Sequence, residues 1–358
     1  MIRGGRSAHI LGLGASTPIG RTIWASAAAA RAGISGFSEH PFLVDRAGQP
    51  MRIARASWLA VEMDIAQRCC ELLSSAVDEA LGAYVASPQA ATERVNLALA
   101  LAADRPGRPP NLREVILTAL AERYPSVLSF HSAFECGHAG GCAAFQVAVR
   151  SLMEVPSAGP FLVVGVDSYI SAETLEWIEE NDQLHGAGLL NNAWGFIPGE
   201  AASAVLVGTA AFAEHYGRDI HGEVVSVGLG RERHVIRDGT VCLGEGLTHA
   251  FRAALAPLES HEAIHNVICD LNGETYRADE YGFTALRLKE RFRAAADFVA
   301  PADCWGDIGA AGTPLHTALA VIAHRKRYDK GPLSMVWGSS EGGERGAVVI
   351  RAAPAGEM

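Results

Sequence analysis

The chain has no apolar run long enough to cross a bilayer. Its longest, VNLALALAA at 95–103, falls well short of the roughly 18 residues a membrane span needs. Nor is there a basic excess. Lys and Arg total 30 against 40 Asp and Glu, a net charge of -10, which argues against a nucleic-acid partner. The seven cysteines are odd in number and include no CxxC pair, the usage of reduced thiols in a cytoplasmic protein. The opening MIRGGRSAHILGLGAS is too short in its apolar part for a secretory signal. GLGASTPIG lacks GxGxxG spacing, so it is read as a turn rather than a dinucleotide site, and no cofactor is expected.

What remains is ample for a large core: 49% hydrophobic residues, 20% charged residues and 38 glycines. Strand patterns at 8–13, 95–101, 126–131, 160–166 and 202–207 are followed by a second set at 222–228, 265–271, 296–300, 333–337 and 346–351. Helical periodicity fills 58–82, 111–123, 142–154, 246–257, 281–294 and 312–326. Such alternation predicts layered α/β architecture with buried sheets. The two strand sets read as two copies of one plan, each ending in a strand pair with a Gly/Glu-rich turn: WGFIPGEAASAVLVG (194–208) and WGSSEGGERGAVVIR (337–351). No Pro- or Ser-rich linker separates them. The expected halves are 1–211 and 212–358, packed as one unit. The prolines and arginines of 104–114 mark an exposed loop.

The segment PSVLSFHSAFECGHAGGCAAFQVAVRSLM (125–153) reads as a strand, a small-residue turn and a buried helix. A helix N-terminus at such a junction stabilises a thiolate. Here the junction residue is His138, with Cys136 and Cys142 on either side. Cys69 and Cys70 lie in a helical pattern and read as core.

Five stretches together resemble the β-ketoacyl synthase branch of the thiolase superfamily: ILGLGASTPIG (10–20), HSAFECGHAGGCAAFQVAVRSL (131–152), FLVVGVDS (161–168), FIPGEAASAVLVG (196–208) and WGDIGAAGTPLHTALAVI (305–322). The resemblance implies two related α/β/α/β/α halves, usually a dimer. It also implies a decarboxylative Claisen condensation, in which a cysteine takes an acyl chain from a carrier thioester. Two histidines then help decarboxylate a malonyl unit and stabilise the enolate. Carried over, the nucleophile position is His138 and the first histidine falls near Leu271. The second corresponds to Asp307, the supporting lysine to Ala302, and Glu341 lies near the phenylalanine of the glycine turn.

Read as residues, His138 at a buried helix start is expected to be neutral, as a base, an orienting group or a buried filler. Cys142, four residues on, shares its helix face; Cys136 is the other candidate nucleophile. His131, Cys136, His138 and Cys142 point in divergent directions on a strand and helix, so no metal is expected. The polar DLNGETYRADE (270–280) follows a buried strand, where α/β proteins keep their sites. There Leu271, Asn272 and Glu274, with Glu341, are substrate-side candidates. Asp279 is the expected N-cap of the next helix, and Glu274 with Asp307 a possible carboxylate pair. Arg105, Arg108 and Arg113 offer themselves to an acidic carrier protein.

Two functions follow. One is a non-condensing homologue acting as a partner or regulatory subunit, as a homodimer or with another ketosynthase. The other is an acyltransferase using His138 with Cys136 or Cys142, Glu274 and Asp307.

Overall fold

The computed structural model describes residues 7–84, 93–155, 157–188 and 191–353; the opening residues 1–6 lie outside them. Among these residues ten strands form one mixed sheet in the order β10-β9-β11-β12-β8-β1-β7-β6-β4-β5. On one side stand β1 (Ala8–Ser16), β4 (Val95–Leu101), β5 (Leu128–Phe134), β6 (Phe161–Ser168) and β7 (Glu200–Gly208). On the other stand β8 (Gly222–Arg231), β9 (Asn266–Cys269), β10 (Phe298–Val299), β11 (Leu333–Ser339) and β12 (Glu344–Ala352). The order is a mirror: β1 and β8 meet at the centre over Ala8–Ile10, and β5 and β10 are the outer edges.

Glycines let the covering helices approach. α2 (Ile65–Leu81) lies on β1, where a Cβ at Gly14 would stand 2.0 Å from the Ala76 carbonyl oxygen. α7 (Glu245–Leu255) lies on β8 in the same way, with Gly228 against the Ala250 oxygen at 2.0 Å. No other residue permits that contact. Two further helices are buried between the strand groups. α4 (Gly140–Glu154) packs on β4 and β6 and also on β8 and β12. α10 (Gly312–Arg325) packs on β9, β11 and β12 and also on β7, and every residue from Gly312 to Ile322 is buried. A helix apolar on all sides has no solvent face to offer. The two helices touch at their N-termini, where a Cβ on Gly141 would lie 2.6 Å from Thr313 Cβ.

Several expectations need correction. The helix expected over 58–82 starts at Ile65, because the Asp64 carboxylate accepts from Gln67 N and caps it. The helix expected over 281–294 is α8 (Thr275–Arg287), with Glu274 as its N-cap residue, so Asp279 sits inside the helix rather than capping it. The hairpin β2 (Phe37–Val44) with β3 (Pro50–Ala54), and the helices α1 (Ile23–Arg31), α5 (Ala172–Glu180), α6 (Ala210–His215) and α9 (Ala302–Trp305), were not legible as periodic segments. α3 (Leu112–Arg123) follows its periodicity closely. The 104–114 stretch is not a freely exposed loop. Arg105 pairs with buried Asp167 at 2.5 Å and Arg108 pairs with Glu135, their side chains only 7% and 6% exposed. Arg113 alone of the three is open to solvent, and it too is paired with Glu114 and Glu135.

Candidate functional site

Two junctions, each opening a buried helix, meet at the centre of the molecule. In the first, β5 passes through a single 3₁₀ turn, Gly137–Ala139, into α4; Gly137 has φ 73°, a conformation suited to glycine. In the second, the chain leaves α9 through Gly306, passes Asp307, and enters α10 through a matching turn, Gly309–Ala311. The FIPGE stretch pins Asp307 on both sides: its N–H donates to Ile197 O and its carbonyl accepts from Gly199 N, each at 2.8 Å.

The side chains converge there. His138 Nε2 lies 2.8 and 2.9 Å from the two Asp307 oxygens. Asn272 Nδ2 donates to Asp307 Oδ2 at 2.7 Å and to Glu274 Oε2 at 3.1 Å, so one amide bridges the two carboxylates. Gly309 N donates to Asp307 Oδ1 at 2.8 Å. Arg277, fully buried on α8, donates to Glu274 at 2.9 Å, to Asp270 at 3.1 Å and to the Ser339 carbonyl at 2.5 Å. Its remaining nitrogen stands 3.5 Å from His138 Nε2.

These contacts reverse the expectation of a neutral His138. Burial disfavours the imidazolium most strongly, but the Asp307 charge and its hydrogen bond, with Asp270, outweigh both burial and Arg277 and raise the pKa above its ordinary value. For Asp307, burial acts against the carboxylate, yet His138, Arg277 and the Gly309 N–H hold it well below the usual range. Both shifts favour the charged forms, so the contact is a buried ion pair wherever His138 is protonated. Asp270 moves the other way, raised by burial despite Arg277. His316, one turn into α10, is pushed down to about 3 by burial and by the His138 charge, and stays neutral.

The surroundings of neither cysteine favour a thiolate. Cys142 is fully buried with Sγ 3.5 Å from Thr313 Oγ1, and burial lifts its pKa to about 12. The His138 ring is paired with Asp307 instead, and the Thr313 hydroxyl donates to the His138 carbonyl at 3.1 Å. Cys136 is part-exposed, and burial with the Glu344 charge lifts it to about 11.

Space is scarce. A cavity of about 10 Å³, room for one water, lies on one side of His138 among Asp270, Asn272, Trp305, Asp307 and His316. A crevice of about 40 Å³ lies on the other, lined by Arg105, Cys136, Tyr169, Trp177 and Glu341. Phe145 and Trp305 are fully buried.

Of the sequence candidates, His138, Asn272, Glu274 and Asp307 are brought into one network. Cys136 and Glu341 line its crevice. Leu271 turns away and packs on the core cluster of Val267, Tyr281 and Trp337. Ala302 lines the small cavity and brings no charge. Gln183 was missed. Its amide nitrogen donates to Glu274 at 2.8 Å and to Glu341 at 3.0 Å, and nothing in its local sequence marks it. The i, i+3 spacing of Glu274 and Arg277 was a legible signal of their pairing.

Among the described residues, Glu232, Cys242 and Glu280 gather ligand atoms within 4.8 Å. Glu280 is already bonded by Arg345 and Ser339, and Glu232 accepts three backbone N–H groups, so this donor set is committed to the fold.

No family model matches the chain, and no curated protein matches it in sequence. Solved structures do. A chain from a type II polyketide synthase complex, described as an acyl-carrier protein with its ketosynthase bound to the hexaketide, superposes with TM-score 0.79 at 14% identity, covering 98% of this chain and 100% of that one. The ishigamide ketosynthase/chain length factor gives 0.77 at 16% identity, over 98% and 100%. A β-ketoacyl synthase from Burkholderia phymatum gives 0.73 at 16%, over 97% and 100%. The chain has the thiolase-like fold of the ketosynthases and their chain length factors.

Proposed function

We propose that this protein is a non-condensing member of the ketosynthase fold class, serving as a partner or regulatory subunit in acyl-chain or polyketide-type metabolism. The observation that carries this reading is the buried His138–Asp307 ion pair, 2.8 Å long and only 6% and 4% exposed, at the positions where the resemblance implies a cysteine and a histidine. A condensing enzyme needs a nucleophile that can carry an acyl group and an imidazole free to donate to an enolate. An imidazolium clamped by a carboxylate does neither. The bridging Asn272 and the salt-bridged Arg277 complete a polar core that suits a structural centre better than a turnover site. Partnership with another ketosynthase, or with a second copy, and docking of an acyl carrier protein belong to the same reading; one matched structure is itself a ketosynthase with its carrier protein.

Incubation with acyl- and malonyl-thioester donors, followed by intact mass and by assay of residual malonyl-thioester, tests it. The protein is expected to remain unmodified and the malonyl group intact. Condensation or decarboxylation above the protein-free control ends the non-condensing reading.

A second reading rests on Cys136, a part-exposed thiol at the crevice beside His138. An acyltransferase of that kind shows an adduct at Cys136, lost in Cys136→Ser, in the same experiment.

A further inference from the structure

Side chains that line the His138 crevice are in contact with side chains that line a much larger surface pocket. The pocket holds about 460 Å³ and is lined by Gln183, Trp194, Arg237, Val241, Glu274 and Tyr276. The crevice, about 40 Å³, has Trp177 and Glu341 among its lining residues. Arg237 reaches both from the pocket side. Its Nη2 lies 2.7 Å from Glu341 Oε2 and 3.3 Å from Gln183 Oε1. Its guanidinium sits 4.2 Å over the Trp177 ring.

We propose that Arg237 is a latch, and that its release joins the surface pocket to the crevice at Cys136 and His138, opening an entrance for a slender ligand. Four features support this. Arg237 sits on a stretch, 232–244, without regular structure, which contains Gly239 at φ 69° and Val241 at 74% exposure. The ends of that stretch are tied independently: Glu232 accepts from the N–H groups of Arg233, His234 and Gly246, and Asp238 from those of Val235 and Thr240. Swinging one side chain therefore leaves the loop anchored. The Arg237–Glu341 pair is also part-exposed, at 41% and 28%, so unlike the buried His138–Asp307 pair it is weak and screened by salt. Gln183 stays behind when Arg237 leaves, because its amide nitrogen holds Glu274 and Glu341 together. The buried network can thus keep its geometry while the entrance opens. None of this depends on whether the site performs chemistry.

Thiol labelling reads the latch. Wild type, Arg237→Ala and Glu341→Gln are treated with iodoacetamide or with a bulky biotin-maleimide, and labelling at Cys136 is followed by site-resolved mass spectrometry, with Cys136→Ser confirming the assignment. The bulky reagent is expected to label Cys136 about tenfold faster in Arg237→Ala, the factor that corresponds to 1.4 kcal/mol of closing energy. Glu341→Gln moves the same way by less. Raising salt accelerates the wild type and leaves Arg237→Ala unchanged. Labelling of Cys70 and the thermal midpoint report that the fold is intact. Equal bulky-reagent rates in wild type and both variants, with no effect of salt, overturn the latch. Should Arg237→Ala fail to fold, Glu341→Gln and the wild-type salt series decide alone.

Discussion

The two helix-opening junctions, before α4 and before α10, are built alike and employed differently. Each has a glycine at positive φ, Gly137 at 73° and Gly309 at 49°, then one 3₁₀ turn, then a buried helix. Each turn is held by the end of a strand from the other group. Ser340, just after β11, accepts from Ala139 N at 2.9 Å, and Asp167, at the end of β6, accepts from Ala310 N at 3.1 Å. At the middle of the turn the junctions part. Ala310 adds nothing beyond its backbone, whereas His138 sends an imidazole across the interface to Asp307. The scaffold thus supplies two equivalent helix starts, and the chemistry at each is set by one side chain and its partner.

Substitutions that break this arrangement differ in expected cost. Asp307→Ala should be the most damaging. It removes the partner of a buried cation and is expected to lower stability by about 3–5 kcal/mol, the range for breaking a buried pair from one side. Chemical denaturation measures it. Asp167→Ala, the counterpart, should cost less, because Arg105 keeps its bond to the Ser168 carbonyl at 2.9 Å and its stacking on Tyr169; equal losses would show that the two junctions are energetically equivalent.

Gly141→Val tests the contact between the two helices. Its new Cβ would meet Thr313 at 2.6 Å, and overpacking of this kind costs roughly 1–3 kcal/mol. A shift of the thermal midpoint reports it.

The pH dependence of stability isolates His138. Its pKa is raised in the folded state, so its contribution is full below the unfolded value of about 6.5 and is lost as pH rises through the folded value. The stability difference between wild type and His138→Gln should therefore shrink from pH 6 upward. The Asp307 contribution has the opposite sense: its depressed pKa gives stability above the usual carboxylate range that disappears as pH falls.

Ser340→Ala is the mildest change. It removes the hydroxyl that accepts from Ala139 N and is expected to cost about 1 kcal/mol.

Much of this scaffold was legible in the sequence. A continuous apolar run marks a strand buried on both faces, and a helical repeat marks a helix buried on one, which is why β4 and α3 come out almost residue for residue. β2 and the Ala-rich α1 carry no such pattern, since few of their residues face a core, and β3, although Met51 and Ile53 alternate inward, is only five residues long. At the site, His138, Asn272, Glu274 and Asp307 were identifiable as polar groups at strand ends and helix starts. Their mutual geometry was not. His138 and Asp307 are 169 residues apart, and the imidazole's charge depends on that partner, which local burial and dipole arguments omit. Gln183 and Arg237 escaped notice for the same reason, because both act across elements distant in sequence. Arg105 and Arg108 misled in the other direction: charge in a Pro-rich stretch reads as solvent-facing, yet Asp167 and Glu135 draw them inward.

The central claim is that His138 is one half of a buried ion pair. NMR titration of the His138 imidazole, assigned by comparison with His138→Gln, tests it most directly. The account predicts a doubly protonated ring at pH 6.5 that loses its proton only at higher pH, with Asp307→Asn bringing that transition down. A His138 ring neutral at pH 6.5 and indifferent to Asp307→Asn would contradict it.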